Sequence, residues 1–273
     1  MRKFVSILLI SVCISFFISC ESNKGDDTIR VHSSELSDIL AGLDVNTADN
    51  PYKVIVLEPV CEEIKEALNL NYMKFINLSF EDCEEFTEIK EKTFQGCKNL
   101  VNIEIPYGVA IIGNYAFENC TFLKNIKISE TVITIGDYAF HYCSSLEKLI
   151  IPDSVTSINK GAFSRSPNLK TVILPTKMKI LKEEVFLLCS CLEELVLPEE
   201  LEIIENSAFY NCYNLRSLVL PEGLKSIGAQ HYSFSLMDIY YRGTEEQWNK
   251  IQKKYGGEEY FPQGQKIHFN YKD

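Results

Sequence analysis

A 23-residue repeat runs through the middle of this chain without an insertion or a deletion. A phenylalanine occurs six times at this interval, and so do a leucine and a small residue that is cysteine in five copies and serine in one. The three columns are Phe94, Phe117, Phe140, Phe163, Phe186 and Phe209; Cys97, Cys120, Cys143, Ser166, Cys189 and Cys212; and Leu100, Leu123, Leu146, Leu169, Leu192 and Leu215. A fixed period of about 20–29 residues predicts a solenoid, in which successive copies stack as coils.

Each coil contains one short strand with a single buried face. Two aliphatic residues that alternate with outward-facing positions follow the leucine, as in Leu149 and Ile151, and this alternation is typical of a half-buried strand. A proline such as Pro152 ends most of these runs, because it cannot donate to a ladder. The apolar residues between the phenylalanine and the leucine are three apart, which predicts one helical or 3₁₀ turn on the opposite wall.

The segments on either side of the repeats predict caps. Before the repeats, residues 33–43 and 62–70 have the pattern of amphipathic helices, with Ser33 or Ser34 as the first N-cap, and residues 52–58 and 74–80 that of strands. After the repeats, we expect a strand within 236–243, a short helix within 244–251 and a last strand within 266–271.

The first residues are typical of an export signal. Arg2 and Lys3 precede an apolar run from Phe4 to Ile18, which is too short for a membrane-spanning helix. Ser19 and Cys20 then precede a polar segment, and this order resembles a bacterial lipoprotein signal, in which the cysteine carries the lipid. The alternative is an ordinary secretory signal in which Cys20 is incidental.

These features divide the chain into five parts. We expect a lipoprotein signal peptide at 1–19, a polar tether at 20–31, an N-terminal α/β cap at 32–82, about six coils at 83–228 and a C-terminal cap at 229–273.

The coil pattern resembles the BspA-like leucine-rich repeats of bacterial surface proteins. The resemblance extends from about Ile89 to Gly228, and the flanks at 45–80 and 239–251 resemble the segments that precede and follow such repeats. It implies an α/β fold, a right-handed leucine-rich-repeat solenoid with an α/β cap at its N-terminus and a short cap at its C-terminus. For function it implies a surface or secreted binding protein, some relatives being adhesins for host proteins, and it implies no catalytic residue.

The cysteine column is interpreted as structural. A metal site needs cysteines that converge at short paired spacings, whereas these are 23 residues apart, and Ser166 indicates a demand for a small side chain rather than for sulfur. Disulfides between neighbouring coils, such as Cys97–Cys120 or Cys189–Cys212, stay open, because coils stacked about 4.8 Å apart lie within the Cα distance of a disulfide. The states of Cys61, Cys83 and Cys191 stay open as well.

The sequence gives little support for catalysis, for phosphate binding or for nucleic-acid binding. The four histidines have no predictable serine or cysteine partner, and the chain has no glycine-rich phosphate loop. The 27 basic and 38 acidic residues give a net charge of −11, which disfavours nucleic acid as a ligand. We therefore expect no enzyme activity, no metal and no cofactor.

The outward-facing column of the strands is the candidate binding site. It consists of Glu104, Lys127, Ile150, Ile173, Val196, Val219 and Tyr240. The five apolar members predict a partner-binding stripe, although β-branched residues that stack across neighbouring strands also stabilise a sheet without a ligand.

The sequence thus predicts a monomeric, non-catalytic envelope lipoprotein, anchored by lipid on Cys20 in the outer membrane and exposed at the surface. Its partner would be an extracellular or host protein, or a glycan. The alternatives are a structural spacer or assembly component of the envelope, and an accessory protein for glycan capture. Glycan capture favours exposed aromatic side chains, and Tyr240 is the only one in the stripe.

Overall fold

The computed structural model describes residues 28–57, 61–81, 86–229, 238–253 and 266–272, and within them the chain forms a solenoid of parallel strands with about nine turns. The predicted signal peptide and Cys20 lie outside these residues. The leucine-rich-repeat fold predicted from the 23-residue period is confirmed.

The N-terminal cap contains the two helices and the two strands expected from the sequence, preceded by one further strand. Its elements are β1 (Thr28–His32), a 3₁₀ helix (Ser33–Glu35), α1 (Leu36–Gly42), β2 (Tyr52–Leu57), α2 (Cys61–Leu70) and β3 (Ile76–Glu81). The three strands pair in parallel in the order β1-β2-β3 and continue into the sheet of the repeats. Residues 28–31, expected in the tether, therefore belong to the first strand of the cap.

The predicted serine N-cap is wrong. Ser33 begins the 3₁₀ helix, and its hydroxyl donates to Glu63 Oε2 at 2.6 Å instead of accepting from the helix backbone. Helix α1 is preceded by Glu35, which makes no side-chain cap. Burial stabilises α1 instead, because Leu36 and Leu40 are fully buried in the core.

Each coil of the repeat region contributes two strands, a shorter one and a longer one. In chain order they are β4 (Glu88–Ile89), β5 (Leu100–Glu104), β6 (Ile111–Ile112), β7 (Asn125–Lys127), β8 (Thr134–Ile135), β9 (Lys148–Ile150), β10 (Ser157–Ile158), β11 (Thr171–Ile173), β12 (Ile180–Leu181), β13 (Glu194–Val196), β14 (Ile203–Ile204), β15 (Ser217–Leu220) and β16 (Ser226–Ile227). Among the strands from β4 to β16, even-numbered strands pair with one another and odd-numbered strands with one another, so the solenoid has two β walls. Paired residues are 23 apart, as in Ile150 and Ile173.

The wall of odd-numbered strands, here called the first wall, consists of three separate ladders. They are β1-β2-β3-β5-β7, then β9-β11, then β13-β15-β17-β19, in which β17 (Asp238–Tyr241) and β19 (Lys266–His268) belong to the C-terminal cap. Strand pairing is thus interrupted between β7 and β9 and again between β11 and β13.

A stack of six phenylalanine rings forms the centre of the core. The rings of successive coils lie nearly parallel with centroids 5.0–6.2 Å apart, from Phe94 to Phe209. All six side chains are fully buried. Because each ring contacts one in the next coil, removing one coil would expose the faces of two others, and a coil is stable only within the stack.

The predicted helical or 3₁₀ turn between the phenylalanine and the leucine is present only as single hydrogen-bonded turns that do not continue into a helix. The segment is a series of turns, in which Cys120 N–H donates to Phe117 O at 3.2 Å. Two residues per coil adopt left-handed backbone, for example Tyr115 (φ 57°) and Asn119 (φ 61°), and such residues interrupt a right-handed helix. Backbone N–H groups then reach the next coil, as from Phe117 N–H to Ala139 O at 2.7 Å.

The C-terminal cap has the predicted strand, short helix and final strand, with one short additional strand. It consists of β17 (Asp238–Tyr241), α3 (Glu245–Lys250), β18 (Gln252–Lys253) and β19 (Lys266–His268). A capping box between Thr244 and Gln247 begins α3. Trp248 is buried, with its ring centroid 5.4 Å from that of Tyr241. Across the five described ranges, the structure has no helix that is both long and apolar enough to cross a membrane.

Candidate functional site

The solvent side of the first wall carries the predicted site, and alternation along the strands determines which residues it presents. In β9, Leu149 is fully buried while Lys148 and Ile150 on either side of it are exposed. The same alternation in the neighbouring coils produces two outward columns. The column with Ile150 contains the predicted binding residues.

Three neighbouring coils expose a continuous aliphatic surface, here called the aliphatic patch: Ile150, Ile173 and Val196. Their exposed fractions are 47%, 51% and 55%. Ile150 pairs in register with Ile173, and Val196 occupies the equivalent position in the following coil. Apolar side chains that are this exposed on three adjacent strands form a patch rather than scattered surface residues.

The patch borders a shallow groove of about 870 Å³ whose rim is charged. Ile173 and Val196 line the groove together with Leu174 and Pro198. The charged lining residues are Lys170, Glu193, Glu194, Glu199 and Arg242, and Arg242 forms an ion pair with Glu199. Because Arg242 and Glu199 neutralise each other, the charged groups that remain on the rim are the carboxylates of Glu193 and Glu194 and the ammonium group of Lys170.

The predicted stripe is shorter than the sequence indicated. Val219 is only 7% exposed, because its neighbour in the next coil is the larger Tyr240. Tyr240 is itself half-buried, with its ring 4.7 Å from both His268 and Tyr271. Among the five predicted apolar members, only the three of the aliphatic patch are substantially exposed.

The first two members of the column, Glu104 and Lys127, belong to a polar region. They form an ion pair with each other. Beside them three asparagines form a ladder across neighbouring strands: Asn102 Nδ2 donates to Asn77 Oδ1, and Asn125 Nδ2 donates to Asn102 Oδ1 at 2.7 Å. The sheet face therefore has a polar N-terminal half and an aliphatic C-terminal half.

The described cysteines are free thiols, and those of the column are buried. Burial raises the pKa of Cys97 and of Cys212 to about 12, and it also raises that of Cys120, Cys143 and Cys189. A thiol with such a pKa is not ionised near neutral pH and is a poor nucleophile and metal ligand. Cys191 is half-buried and free; the side chain of Cys61 and all of Cys83 lie outside the described residues.

His141 lies on the turn side of the solenoid rather than at the sheet face. Its Nδ1 is 2.6 Å from Ser164 Oγ, and its ring lies edge-on to Tyr138 and Tyr142. Desolvation by this packing lowers the pKa of His141. The part of the chain that the structure describes holds no group of three or more His, Cys, Asp or Glu side chains arranged for a metal ion.

Sequence reasoning missed Tyr107, the most exposed large apolar side chain among the described residues, at 82%. It follows Pro106 at the end of β5, and the pattern indicated only a turn there. The signal was available in the repeat alignment, because the same position in the five following coils holds Glu130, Asp153, Thr176, Glu199 and Glu222.

Comparisons with known proteins agree with this architecture. The sequence matches the family model of the BspA type leucine rich repeat region, in six copies, over residues 62–191 and 110–239. A leucine-rich repeat protein from Eubacterium ventriosum ATCC 27560 has the same fold, with a TM-score of 0.51 and 24% sequence identity over 66% of this chain and 51% of that chain. No curated protein matches the chain.

Two further solved structures are similar to parts of the chain. A leucine rich cell surface protein from Faecalibacterium prausnitzii A2-165 has a TM-score of 0.49 and 25% identity, over 68% of this chain and 59% of that chain. A leucine-rich repeat protein from Bacteroides ovatus ATCC 8483 has a TM-score of 0.45 and 26% identity, over 61% of this chain and 54% of that chain. The chain thus spans between one half and three fifths of the length of these proteins.

Proposed function

Because this chain belongs to the BspA-type leucine-rich repeat family, we propose that it is a non-catalytic binding protein of the bacterial cell envelope, which holds a protein partner against its sheet face. The observation that carries the proposal is the aliphatic patch, in which Ile150, Ile173 and Val196 are each about half exposed on adjacent coils. Repeat solenoids commonly bind their partners through such extended surfaces.

The fold does not need aliphatic side chains at this position. Glu104 and Lys127 occupy the same column two coils and one coil before Ile150, and the strands there keep their register. Stacking of β-branched residues across strands contributes only about 0.2–1 kcal/mol per pair to stability. A solenoid with this buried core stays folded without that contribution. The exposure of the patch is therefore better accounted for by a partner that covers it.

The partner would bring an apolar surface flanked by positive charge. Burying one aliphatic side chain of the patch completely is worth about 1.5–3 kcal/mol. Glu193 and Glu194 on the rim have no described ion-pair partner and would attract a lysine or arginine beside the apolar contact. An extracellular or host protein presented to the outer surface fits the export signal, with the lipid on Cys20 as the anchor.

The test compares two charge-matched variants of the purified full chain. One carries Ile173→Glu and Val196→Glu in the patch. The control carries Ile111→Glu in β6 and Ile133→Glu directly before β8, and these two side chains are 41% and 44% exposed. After circular dichroism shows that both are folded, binding to a panel of purified extracellular matrix proteins is measured by biolayer interferometry.

We expect the patch variant to lose about 100-fold or more in affinity, because each new carboxylate would be buried without a partner. The control variant should bind as the wild type does. An equal loss of affinity in both variants would show that the partner does not bind at the aliphatic patch. Absence of binding to any protein by the wild type would favour the structural spacer instead.

A further inference from the structure

A second groove lies on the polar half of the sheet face, before the aliphatic patch in chain order. It has a volume of about 570 Å³, and its lining includes Ser79, Glu104, Tyr107, Lys127 and Glu130. Glu104 and Lys127 also line an adjoining groove of about 530 Å³ that contains the asparagine ladder. Both volumes lie within the roughly 300–1,000 Å³ typical of small-ligand sites.

Tyr107 is held in place at the rim of this groove. The turn that carries it places Gly108 at φ 102°, a conformation that favours glycine. Gly108 N–H donates to Thr131 Oγ1 at 3.1 Å, and Thr131 Oγ1 donates to Val109 O at 2.9 Å. These bonds hold the backbone of the turn against the next coil, so the position from which the Tyr107 side chain extends is fixed.

The side chains around the ring offer hydrogen bonds of several kinds. Ser79 provides a hydroxyl and Glu130 a carboxylate, and the ion pair of Glu104 and Lys127 provides a further carboxylate and an ammonium group. In the adjoining groove the ladder uses Asn125 Nδ2 as a donor, and no described group donates to Asn125 Oδ1. The groove that Tyr107 lines therefore contains both hydrogen-bond donors and acceptors.

We infer that this tyrosine groove, defined by Tyr107, Ser79, Glu104, Lys127 and Glu130, binds a saccharide. The C–H face of a pyranose ring carries partial positive charge and packs on the negative face of an aromatic ring. Its hydroxyl groups both donate and accept, which suits a mixture of carboxylate, ammonium and amide partners. Phosphorylated ligands fit poorly, because the carboxylate of Glu130 would repel them, whereas that of Glu104 is already paired with Lys127.

This inference does not rest on the proposed protein site. The tyrosine groove uses the turn after β5 and the polar half of the sheet, whereas the aliphatic patch begins at Ile150 in β9. Each site can be removed by substitutions that leave the other intact.

The experiment measures binding of the purified full chain to an array of immobilised oligosaccharides. One set carries host-type mucin and matrix glycans, and the other carries bacterial cell-wall glycans. The test variants are Tyr107→Ala, which removes the ring, and Tyr107→Phe, which keeps it. The matched control is Tyr213→Ala, because Tyr213 is 52% exposed and does not line the tyrosine groove.

We expect the wild type, Tyr107→Phe and Tyr213→Ala to bind the same glycans, and Tyr107→Ala to bind about tenfold more weakly or worse. The patch variant with Ile173→Glu and Val196→Glu should keep its glycan binding, which separates this site from the protein site. The inference is overturned if the wild type binds no glycan or if Tyr107→Ala binds as the wild type does. It is also overturned if Tyr213→Ala loses as much glycan affinity as Tyr107→Ala.

Discussion

The cysteine column shows what a single buried side chain contributes to each coil. The thiols of Cys120, Cys143, Cys189 and Cys212 each donate to the carbonyl oxygen of the phenylalanine 26 residues earlier, over 3.0–3.4 Å. Ser166 occupies the same column, but its hydroxyl is buried without a partner among the described groups. The column therefore favours sulfur as well as small size, which corrects the interpretation drawn from the sequence.

Replacing Ser166 should accordingly stabilise the protein. We expect Ser166→Cys to raise the free energy of unfolding by about 1 kcal/mol, because the longer C–S bonds let the thiol reach Phe140 O and an unpaired buried hydroxyl disappears. Ser166→Ala removes only the hydroxyl and should stabilise less. Urea denaturation of the two variants and the wild type measures the difference, and a Ser166→Cys protein less stable than the wild type would contradict this account.

At the scale of the coil, some glycines lie in close contact with the backbone of the preceding coil and others do not. Gly113 follows β6, and a Cβ there would lie 2.7 Å from Glu91 N and 2.8 Å from Ile89 O. These are backbone atoms of the preceding coil, so they cannot rotate away. At Gly223 the nearest atom to such a Cβ, Glu199 O, is 3.7 Å away, an ordinary contact.

The two glycines provide a matched test of coil spacing. We expect Gly113→Ala to destabilise the protein by about 1–3 kcal/mol, because the preceding coil must shift. Gly223→Ala should be neutral or stabilising by about 0.4–1 kcal/mol, because alanine restricts the unfolded chain. Thermal unfolding followed by circular dichroism distinguishes them, and equal changes in both variants would show that backbone contact does not set the spacing.

The periodic elements were predictable, and the exceptions have physical reasons. Strands such as β9 and β11 follow from alternation repeated every 23 residues, which also fixes their register. The sequence did not reveal why these turns stay single, because Tyr115 and Leu188 adopt left-handed backbone without the glycine that usually signals it. The burial of Val219 depends on Tyr240 in the cap, and the position of Tyr107 on the groove depends on a turn geometry that residue spacing does not reveal.

At the scale of the whole molecule, the solenoid presents one continuous face with two kinds of surface. The polar half with the tyrosine groove lies nearer the N-terminal cap, and the aliphatic patch lies nearer the C-terminal cap. Under the proposed lipid anchor on Cys20, the polar half would lie nearer the membrane and the protein site farther from it.

The anchor itself is testable in cells. We expect Cys20→Ser to abolish labelling of the protein by a radioactive fatty acid and to shift it from the membrane fraction to the soluble one, since a thiol is needed for the lipid linkage. Cys13→Ser, within the apolar part of the same leader, is the matched control and should stay membrane-bound. A Cys20→Ser protein that still takes up label would show that the lipid is attached elsewhere.

The separation of strands into stacked coils has a mechanical consequence. Ladder hydrogen bonds between parallel strands point from coil to coil, so a pull between a membrane anchor and a partner on the aliphatic patch strains them end-on rather than in shear. Under such a pull, we expect the coils to separate from the stack one at a time rather than all at once. Under the proposed anchor and partner site, each opened coil of 23 residues would add roughly 75 Å of extended chain between the membrane and the partner.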